Sequence, residues 1–327
     1  MKCKSLFRRV VTGLVALTVA FFSGAVGSQG EEIQFRLSWK FGPENAPYYA
    51  AIEQGFFSKE GLQVKILEGS GSTDNAKLIG AGKIPIGHID AGAVITGLSQ
   101  DIPLVSVMVL YQKSPMGLVS MSETPIAQPS DLKGRSIGRN PKSVTSIGLD
   151  VFLKTNHIAK SDVSLVPVGY TQEPLLLKKV DMQTTFVNTD VAVLRHKGHK
   201  VNLLLFADWG LQAYGTTIST NQSVLKGNPE LIRRFVRAAR KGWAYTLENR
   251  EKTAAIFIKY QPRFEREFSL NVLKLTEPLL KSKDTEAHGL GWQTAAMWEK
   301  TQDFYSSGGV LKKKVDVKKA FTNKMLQ

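Results

Sequence analysis

The sequence predicts an α/β protein of two lobes, in which mixed sheets are flanked by helices and a hinge joins the lobes. Strand and helix patterns alternate through the first two thirds of the chain. The turns between them are short, as is typical of parallel or mixed sheets. About 300 residues follow an amino-terminal export signal, and this is more than one hydrophobic core usually holds.

The first residues have the pattern of a secretory signal peptide. Four cations between residues 2 and 9 precede an apolar run over residues 10–22 and the small residues Ala25-Val-Gly27. The run is shorter than the roughly 20 residues that span a bilayer, which favours a cleaved signal over an uncleaved anchor. We expect a signal peptide over residues 1–27, cut near Gly27. Its Cys3 is the only cysteine, so the mature chain has no disulfide.

The first lobe is predicted from strands that alternate with helices. Ile33, Phe35 and Leu37 alternate with polar residues over a strand at 33–38, which Gly42-Pro43 ends. A helix begins near Pro47 and stops at Gly55. Further strands are predicted at 62–67, 84–89 and 103–110, the first two of them followed by helices.

The middle of the chain predicts a second lobe. Residues 116–121 are expected to form an extended crossover, and a new unit opens at Asp131-Leu-Lys-Gly134. The strands of this part and the last strand of the chain are predicted at 136–138, 164–168, 183–187, 201–206 and 216–220. An all-helical remainder follows. The inserted lobe then covers 116–209, and 31–115 with 210–327 form the first lobe.

The formal net charge of the whole chain is +15. A positive excess can indicate nucleic acid, an anionic surface or an acidic ligand. The densest basic clusters are Arg233, Arg234, Arg237, Arg240 and Lys241 on one predicted helix, and Lys312 to Lys314 with Lys318 and Lys319. Neither cluster is interleaved with the aromatics that stack on bases, so we expect no nucleic-acid partner. We interpret them as solvated helix faces, with an interaction surface as the alternative.

A ligand site is predicted where the strands of the first lobe end. Trp39 lies after the first strand, and in open α/β sheets ligands bind at this edge. Trp39 and Tyr48 would form stacking walls, and the alternative is that both belong to the core. The hydrogen-bonding groups expected from this lobe are Asn45, Ser70, Thr73 and Asp90. For Ser70 and Thr73 the alternative is helix capping alone, and for Asp90 a cap is slightly favoured.

The second lobe offers a matching set of polar groups. Asn140, Ser143 and Thr145 lie at a predicted helix amino end, which suits an anionic or acceptor-rich group. Capping alone is the alternative for Ser143 and Thr145. Asn188 and Asp190 would accept hydrogen bonds from ligand N–H groups.

Other features predict no catalytic chemistry. His196 and His199 have a spacing found in metal sites, but no acid cluster accompanies them, and histidines are favourable at a helix carboxyl end. His88 is expected to be a satisfied core histidine. The sequence contains no phosphate-binding lysine loop, nucleophile elbow or zinc-protease helix. We expect no metal and no cofactor.

These residues carry a resemblance to the periplasmic substrate-binding proteins of ABC importers. The stretch Ala46-Pro-Tyr-Tyr-Ala-Ala-Ile-Glu-Gln-Gly-Phe-Phe-Ser-Lys-Glu-Gly-Leu62 resembles the first helix of the branch that binds nitrate, sulfonates, taurine and thiamine pyrimidine precursors. The resemblance implies the two-lobed type II periplasmic binding protein fold and a location in the periplasm. It also implies a small-molecule ligand, an inner-membrane ABC permease as partner, and a monomer.

Within that branch the chain is most similar to the pyrimidine-precursor binders. Asp208-Trp-Gly-Leu-Gln-Ala-Tyr-Gly215 carries this likeness, as does Phe186 followed by a polar pair and an acid. The resemblance implies ligand contacts from Phe186, Trp209 and Tyr214, and a heterocycle bound by the acid Asp190. The family usually has Glu-Pro where this chain has Asp190-Val191.

Three functions of different classes follow. The first is capture of a small polar or heteroaromatic solute, with a pyrimidine precursor of thiamine favoured over a sulfonate, taurine or nitrate. The second is a pyrimidine synthase of the same fold, which the export signal and the lack of cysteines disfavour. The third is a sensory or chaperone-like binding subunit that acts through the basic helix.

Overall fold

The computed structural model describes residues 30–141, 143–169 and 171–327. The predicted signal peptide, including Cys3 and the cleavage position, lies outside the described residues. Ten strands form two separate five-stranded sheets within the described part of the chain. No helix in that part is both long and apolar enough to span a bilayer.

The first sheet contains strands from both ends of the predicted first lobe. Its members are β1 (Glu31–Arg36), β2 (Leu62–Leu67), β3 (Ile86–Asp90), β4 (Leu104–Val109) and β10 (Thr216–Asn221). Their order is β2-β1-β3-β10-β4. All neighbours are parallel except β10, which runs antiparallel to β3 and β4.

The second sheet is built from the middle of the chain. Its members are β5 (Met116–Met121), β6 (Ser136–Arg139), β7 (Ser164–Pro167), β8 (Met182–Phe186) and β9 (Val201–Leu205). Their order is β7-β6-β8-β5-β9. The prediction for 116–121 is corrected here: this segment is a strand paired antiparallel on both sides, to β8 and β9. Leu118 and Val119 are buried on opposite faces of it, so helices cover both faces of this strand.

Helices cover both sheets. Those that precede β10 are α1 (Ala46–Glu53), α2 (Phe56–Lys59), α3 (Ser72–Gly80), α4 (Ala91–Ser99), α5 (Val144–Thr155), α6 (Glu173–Leu176) and α7 (Asp190–His196). Those that follow are α8 (Gln222–Gly227), α9 (Pro229–Glu248), α10 (Arg250–Tyr260), α11 (Arg266–Thr276), α12 (Lys283–His288) and α13 (Ala295–Ser307). The Asn228 side chain caps α9 by accepting from the Leu231 N–H.

Except for β5 and β10, the strands of each sheet have their carboxyl ends at the edge that faces the other sheet. The segment 110–115 leaves the carboxyl end of β4 and enters β5 at Met116, which pairs with Phe186 at the carboxyl end of β8. The segment 206–215 leaves β9 and enters β10 at Thr216, which pairs with Asp90 at the carboxyl end of β3. Both connections therefore join the same two edges. The boundaries of two lobes near 115 and 210 stay a prediction.

The basic face of α9 is paired within the chain. Arg234 bonds to Glu31, while Arg237 and Lys241 both lie against Glu60. The Arg240 guanidinium donates to the Leu326 carbonyl. The opposite face is buried on the first sheet through Phe235 and its neighbours. This geometry agrees with the interpretation of a solvated helix face.

Candidate functional site

Trp39 lies at the rim of the first sheet. Its side chain is 61% exposed, the most exposed large hydrophobic side chain among the described residues. The loop after β2 fixes its backbone, since the Gly69 N–H donates to the Trp39 carbonyl at 2.9 Å. A Cβ at Gly69 would lie 2.0 Å from the Leu37 carbonyl oxygen, so only glycine fits this approach. An indole held this way is available to stack on a ligand.

Three of the four polar residues predicted on this edge have different surroundings. The Ser70 hydroxyl donates to Asp74 at 2.7 Å, and Thr73 is exposed on the first turn of α3. Asp90 caps α4 by accepting from the Gly92 N–H at 2.8 Å, which confirms the favoured alternative. The Tyr305 hydroxyl donates to the same oxygen of Asp90. Burial raises the pKa of Asp90 to about 6.

Tyr48 and Tyr214 are corrections to the predicted site, because both lie in hydrophobic cores. Tyr48 is fully buried, with its ring 4.6 Å from that of Phe35. Tyr214 is 1% exposed and packs edge-to-face on Trp298, while its hydroxyl accepts from a backbone N–H. The side chain of Tyr48 points from α1 onto the sheet, so it supports the loop that precedes α1 and forms no exposed wall.

His88 is only half satisfied in the core. Its Nδ1 lies 3.3 Å from the Ser38 hydroxyl, but its Nε2 is buried without a hydrogen-bond partner among the described residues. The Tyr48 hydroxyl and the Trp243 Nε1 are buried in the same way. The Tyr48 ring lies 6.0 Å from each of the other two rings. Burial lowers the pKa of His88 to about 3, so the ring is neutral at physiological pH.

In the second sheet, the polar residues after β6 cap a helix. The Ser143 hydroxyl accepts from the Thr145 N–H at the start of α5, and the Thr145 hydroxyl donates to Thr184. The Asn140 carbonyl accepts from the Ser146 hydroxyl at 2.6 Å. The capping alternative therefore accounts for the hydroxyl of Ser143, and contact of this edge with a ligand stays a prediction.

Asp190 is partly engaged within the chain, and contact of its other oxygen with a ligand stays a prediction. One of its carboxylate oxygens accepts from the Phe186 N–H at 2.9 Å and from the Thr185 hydroxyl at 3.0 Å. These bonds close the turn between β8 and α7, and burial raises the pKa of this acid. The engaged oxygen holds the backbone and is not available to a ligand. Phe186 is half-buried against the second-sheet core, and Trp209 is 37% exposed.

Asn188 connects the two edges. It is 3% exposed, and its amide nitrogen donates to the Tyr111 hydroxyl at 3.2 Å and to the Thr276 hydroxyl at 3.3 Å. Tyr111 lies in the connection after β4, and Thr276 ends α11. Helix α11 also packs on α7, where His196 Nε2 lies 3.4 Å from Glu265. Groups from both edges therefore meet at Asn188.

Glu44 and Asn45 lie next to this meeting point. They form a 3-10 turn, Pro43–Asn45, which leads into α1 and packs on α11. The Asn45 amide nitrogen donates to Glu44 at 3.0 Å, while its oxygen is buried without a partner among the described residues. Burial raises the pKa of Glu44 to about 7, and the Glu44 charge raises that of Tyr111. The sequence carries no signal for Glu44, because an acid beside Pro43 is typical of an exposed turn.

Comparison with known proteins places these features in a family. A model of the family described as NMT1/THI5 like matches residues 42–253. The chain is 29% identical to the riboflavin-binding protein RibY of Chloroflexus aurantiacus, over 90% of this chain and 86% of that protein. It is 25% identical to the formylaminopyrimidine-binding protein of Halalkalibacterium halodurans, over 90% of each.

Two further similarities extend the picture. The chain is 22% identical to a 4-amino-5-hydroxymethyl-2-methylpyrimidine phosphate synthase of Legionella pneumophila, over 92% of this chain and 94% of that enzyme. The solved structure of the periplasmic aliphatic sulphonate binding protein SsuA of Escherichia coli aligns with a TM-score of 0.70. That alignment has 16% identity and covers 91% of this chain and 99% of that one. This likeness confirms the expected periplasmic binding protein fold.

Proposed function

Because the chain belongs to the NMT1/THI5-like family, we propose that it is the extracytoplasmic solute-binding component of an ABC importer. The observation that carries the proposal is the meeting of the two sheet edges at Asn188, which donates to groups of the first lobe. A binding protein of this type closes two lobes on a ligand, so it needs contacts that form across the cleft only on closure. Two relatives named as binding proteins cover nearly the whole chain and support the same class.

For the ligand we propose a small heteroaromatic molecule, with a pyrimidine precursor of thiamine favoured. The exposed Trp39 supplies a flat apolar surface at the cleft rim, and such stacking contributes roughly 0.5–1.5 kcal/mol beyond burial. The relatives are named for riboflavin and formylaminopyrimidine, both of which contain a pyrimidine ring. An aliphatic sulfonate, taurine or nitrate is the alternative, since the fold also occurs in a sulfonate binder.

An enzymatic role is the second candidate, favoured only by the relatives named as pyrimidine phosphate synthases. We propose that the chain is not such an enzyme. Incubation with pyridoxal phosphate tests this directly: we expect no Schiff-base absorbance band. A band that disappears in a lysine variant would overturn the assignment as a binding protein.

The ligand assignment is tested with the purified mature protein. We expect native protein to carry a heteroaromatic molecule that mass spectrometry identifies. In a thermal-shift panel, formylaminopyrimidine or riboflavin should raise the melting temperature, while taurine and nitrate should not. Stabilisation by simple anions alone would contradict the heteroaromatic proposal. Trp39→Ala should weaken the response without lowering the melting temperature of the free protein.

A further inference from the structure

Glu44 places a carboxyl group at the junction of the two lobes, where no described cationic side chain pairs with it. It is half-buried in the 3-10 turn Pro43–Asn45 and forms no ion pair with any residue that the structure describes. The hydrogen bonds to its carboxyl group come from the Asn45 amide and from its own backbone N–H. A carboxylate has about four acceptor positions, so Glu44 keeps capacity for further donors.

Of the other acids around the cleft, Glu68 is paired with cations, whereas no described cationic side chain pairs with Asp90 or Asp190. Glu68 accepts from the Phe41 N–H and lies against Lys40 and Arg263. Asp90 and Asp190 each have one oxygen engaged by two donors. Glu44 has two donors as well, and what distinguishes it from Asp90 and Asp190 is the Asn45 acceptor beside it, which has no partner among the described residues.

Asn45 supplies a second acceptor beside the first. Its side chain is 3% exposed, and its oxygen has no hydrogen-bond partner among the described residues. An unpaired buried amide oxygen costs about 1–3 kcal/mol unless a ligand or water donates to it. Its nitrogen already bonds Glu44, which fixes the amide next to the carboxylate. Two acceptors side by side match a ligand edge that presents two N–H groups.

The backbone here is shaped around the carboxylate. A Cβ at Gly42 would lie 2.3 and 2.6 Å from the two Glu44 oxygens, so any side chain at 42 would displace them. The Glu44 charge raises the pKa of Tyr111. The Tyr111 hydroxyl in turn accepts a hydrogen bond from Asn188 of the opposite edge. Closure of the lobes therefore brings the second edge against the Glu44 site.

We propose that Glu44, together with the Asn45 oxygen, selects ligands that donate N–H groups and rejects sulfonates and other anions. A ligand N–H edge satisfies both acceptors, while an anion beside an unpaired carboxylate meets repulsion in a site with reduced access to water. The inference rests on the proposed function, because it assumes that the ligand binds between the lobes. It assigns to Glu44 the role that the sequence predicted for Asp190.

Isothermal titration calorimetry with formylaminopyrimidine, riboflavin and taurine tests the inference. Runs at pH 7 in two buffers of different ionisation enthalpy measure the protons exchanged on binding. Donation of N–H groups favours the charged carboxylate, so binding to the parent should release up to about half a proton more than binding to Glu44→Gln. Glu44→Gln should weaken binding roughly ten- to a hundredfold. Glu68→Gln is the matched control and should leave affinity and proton release unchanged.

The outcomes separate this inference from the proposed function. If the parent binds none of the three probes, both fail. If it binds formylaminopyrimidine or riboflavin but Glu44→Gln matches it in affinity and proton release, the Glu44 assignment alone is wrong. Tight binding of taurine by the parent would also overturn it. Thermal melts of Glu44→Gln, expected to match or exceed the parent, show that loss of binding is not loss of folding.

Discussion

Three polar atoms in the first-sheet core make no hydrogen bond of normal geometry with the described residues. They are the Tyr48 hydroxyl, His88 Nε2 and Trp243 Nε1, and the Tyr48 ring contacts each of the other two rings edge-to-face. The edge-to-face contacts between these rings stabilise the folded state, whereas each buried polar atom without a partner lowers the free energy of unfolding. The first-sheet core therefore contributes less to the free energy of unfolding than its buried apolar side chains suggest. Single substitutions can separate the gain from ring packing from the loss due to the unpaired polar atoms.

Tyr48→Phe keeps the ring and removes its hydroxyl. Because the hydroxyl has no partner among the described residues, we expect the free energy of unfolding to stay unchanged or rise by up to about 1 kcal/mol. Tyr48→Ala should lower it by about 3–5 kcal/mol through loss of packing. Urea unfolding of the ligand-free protein measures both. A loss of more than about 1 kcal/mol in Tyr48→Phe would show that the hydroxyl is hydrogen-bonded in solution.

His88 makes stability depend on pH. Its folded pKa of about 3 is below the unfolded value of 6.5, so the unfolded chain binds the proton more tightly. The contribution of His88 is fully present above pH 6.5 and is lost as the pH falls towards 3, at up to about 1.4 kcal/mol per pH unit. His88→Gln should show a flatter loss of stability between pH 6.5 and 4 in urea unfolding. Identical slopes in both proteins would contradict the burial of a neutral histidine.

Part of the site was predictable from single residues, and part was not. Trp39 was predictable as a candidate for an exposed wall because it follows a strand end and precedes a glycine-proline turn. Tyr48 was not, because its position two residues into a helix fits either exposure or burial until α9 is placed above it. The same holds for Asp190 and Glu44: only the fold shows that Thr185 and the Phe186 N–H engage one acid, and that no described residue forms an ion pair with the other.

Among the elements, the loop after β2 has the strictest requirement on its sequence. Gly69→Ala would place a methyl group against the Leu37 carbonyl, so the loop must move and the backbone bond to Trp39 lengthen. We expect a loss of about 1–3 kcal/mol in unfolding free energy and weaker ligand binding. Gly227→Ala is the control, since a Cβ there meets nothing within 4 Å. Equal stability of the two variants would contradict this close approach.

Most elements were predictable because their periodicity is local. Residues 62–67 form β2 as predicted, and the other strands shift by about two residues or fewer at either end. Residues 116–121 are hard to predict as a strand because Pro115 precedes them and Gly117 and Ser120 interrupt the apolar pattern. Their pairing with β8 and β9 depends on residues more than 60 positions away, which local patterns do not report.

For the whole molecule, the proposed closure of two lobes implies that the contacts between the two edges set the balance between open and closed states. Asn188→Ala removes the bonds to Tyr111 and Thr276. We expect a larger radius of gyration in small-angle scattering with ligand present, and affinity weakened roughly five- to thirtyfold. Asn202→Ala is the control, because its side chain bonds only within the second-sheet region. A compact Asn188→Ala with unchanged affinity would remove Asn188 from closure.

The two connections at 110–115 and 206–215 have a mechanical consequence. The first leaves β4 and enters β5 beside β8, and the second leaves β9 and enters β10 beside β3. Both therefore join the same pair of sheet edges. Two covalent links side by side favour one rotation over twisting, so a single angle would describe the lobe closure that we propose. One pair of fluorescent dyes, one on the outer end of each sheet, would then report ligand occupancy as a simple change in energy transfer. The fold thus lends itself to a ratiometric sensor for its ligand.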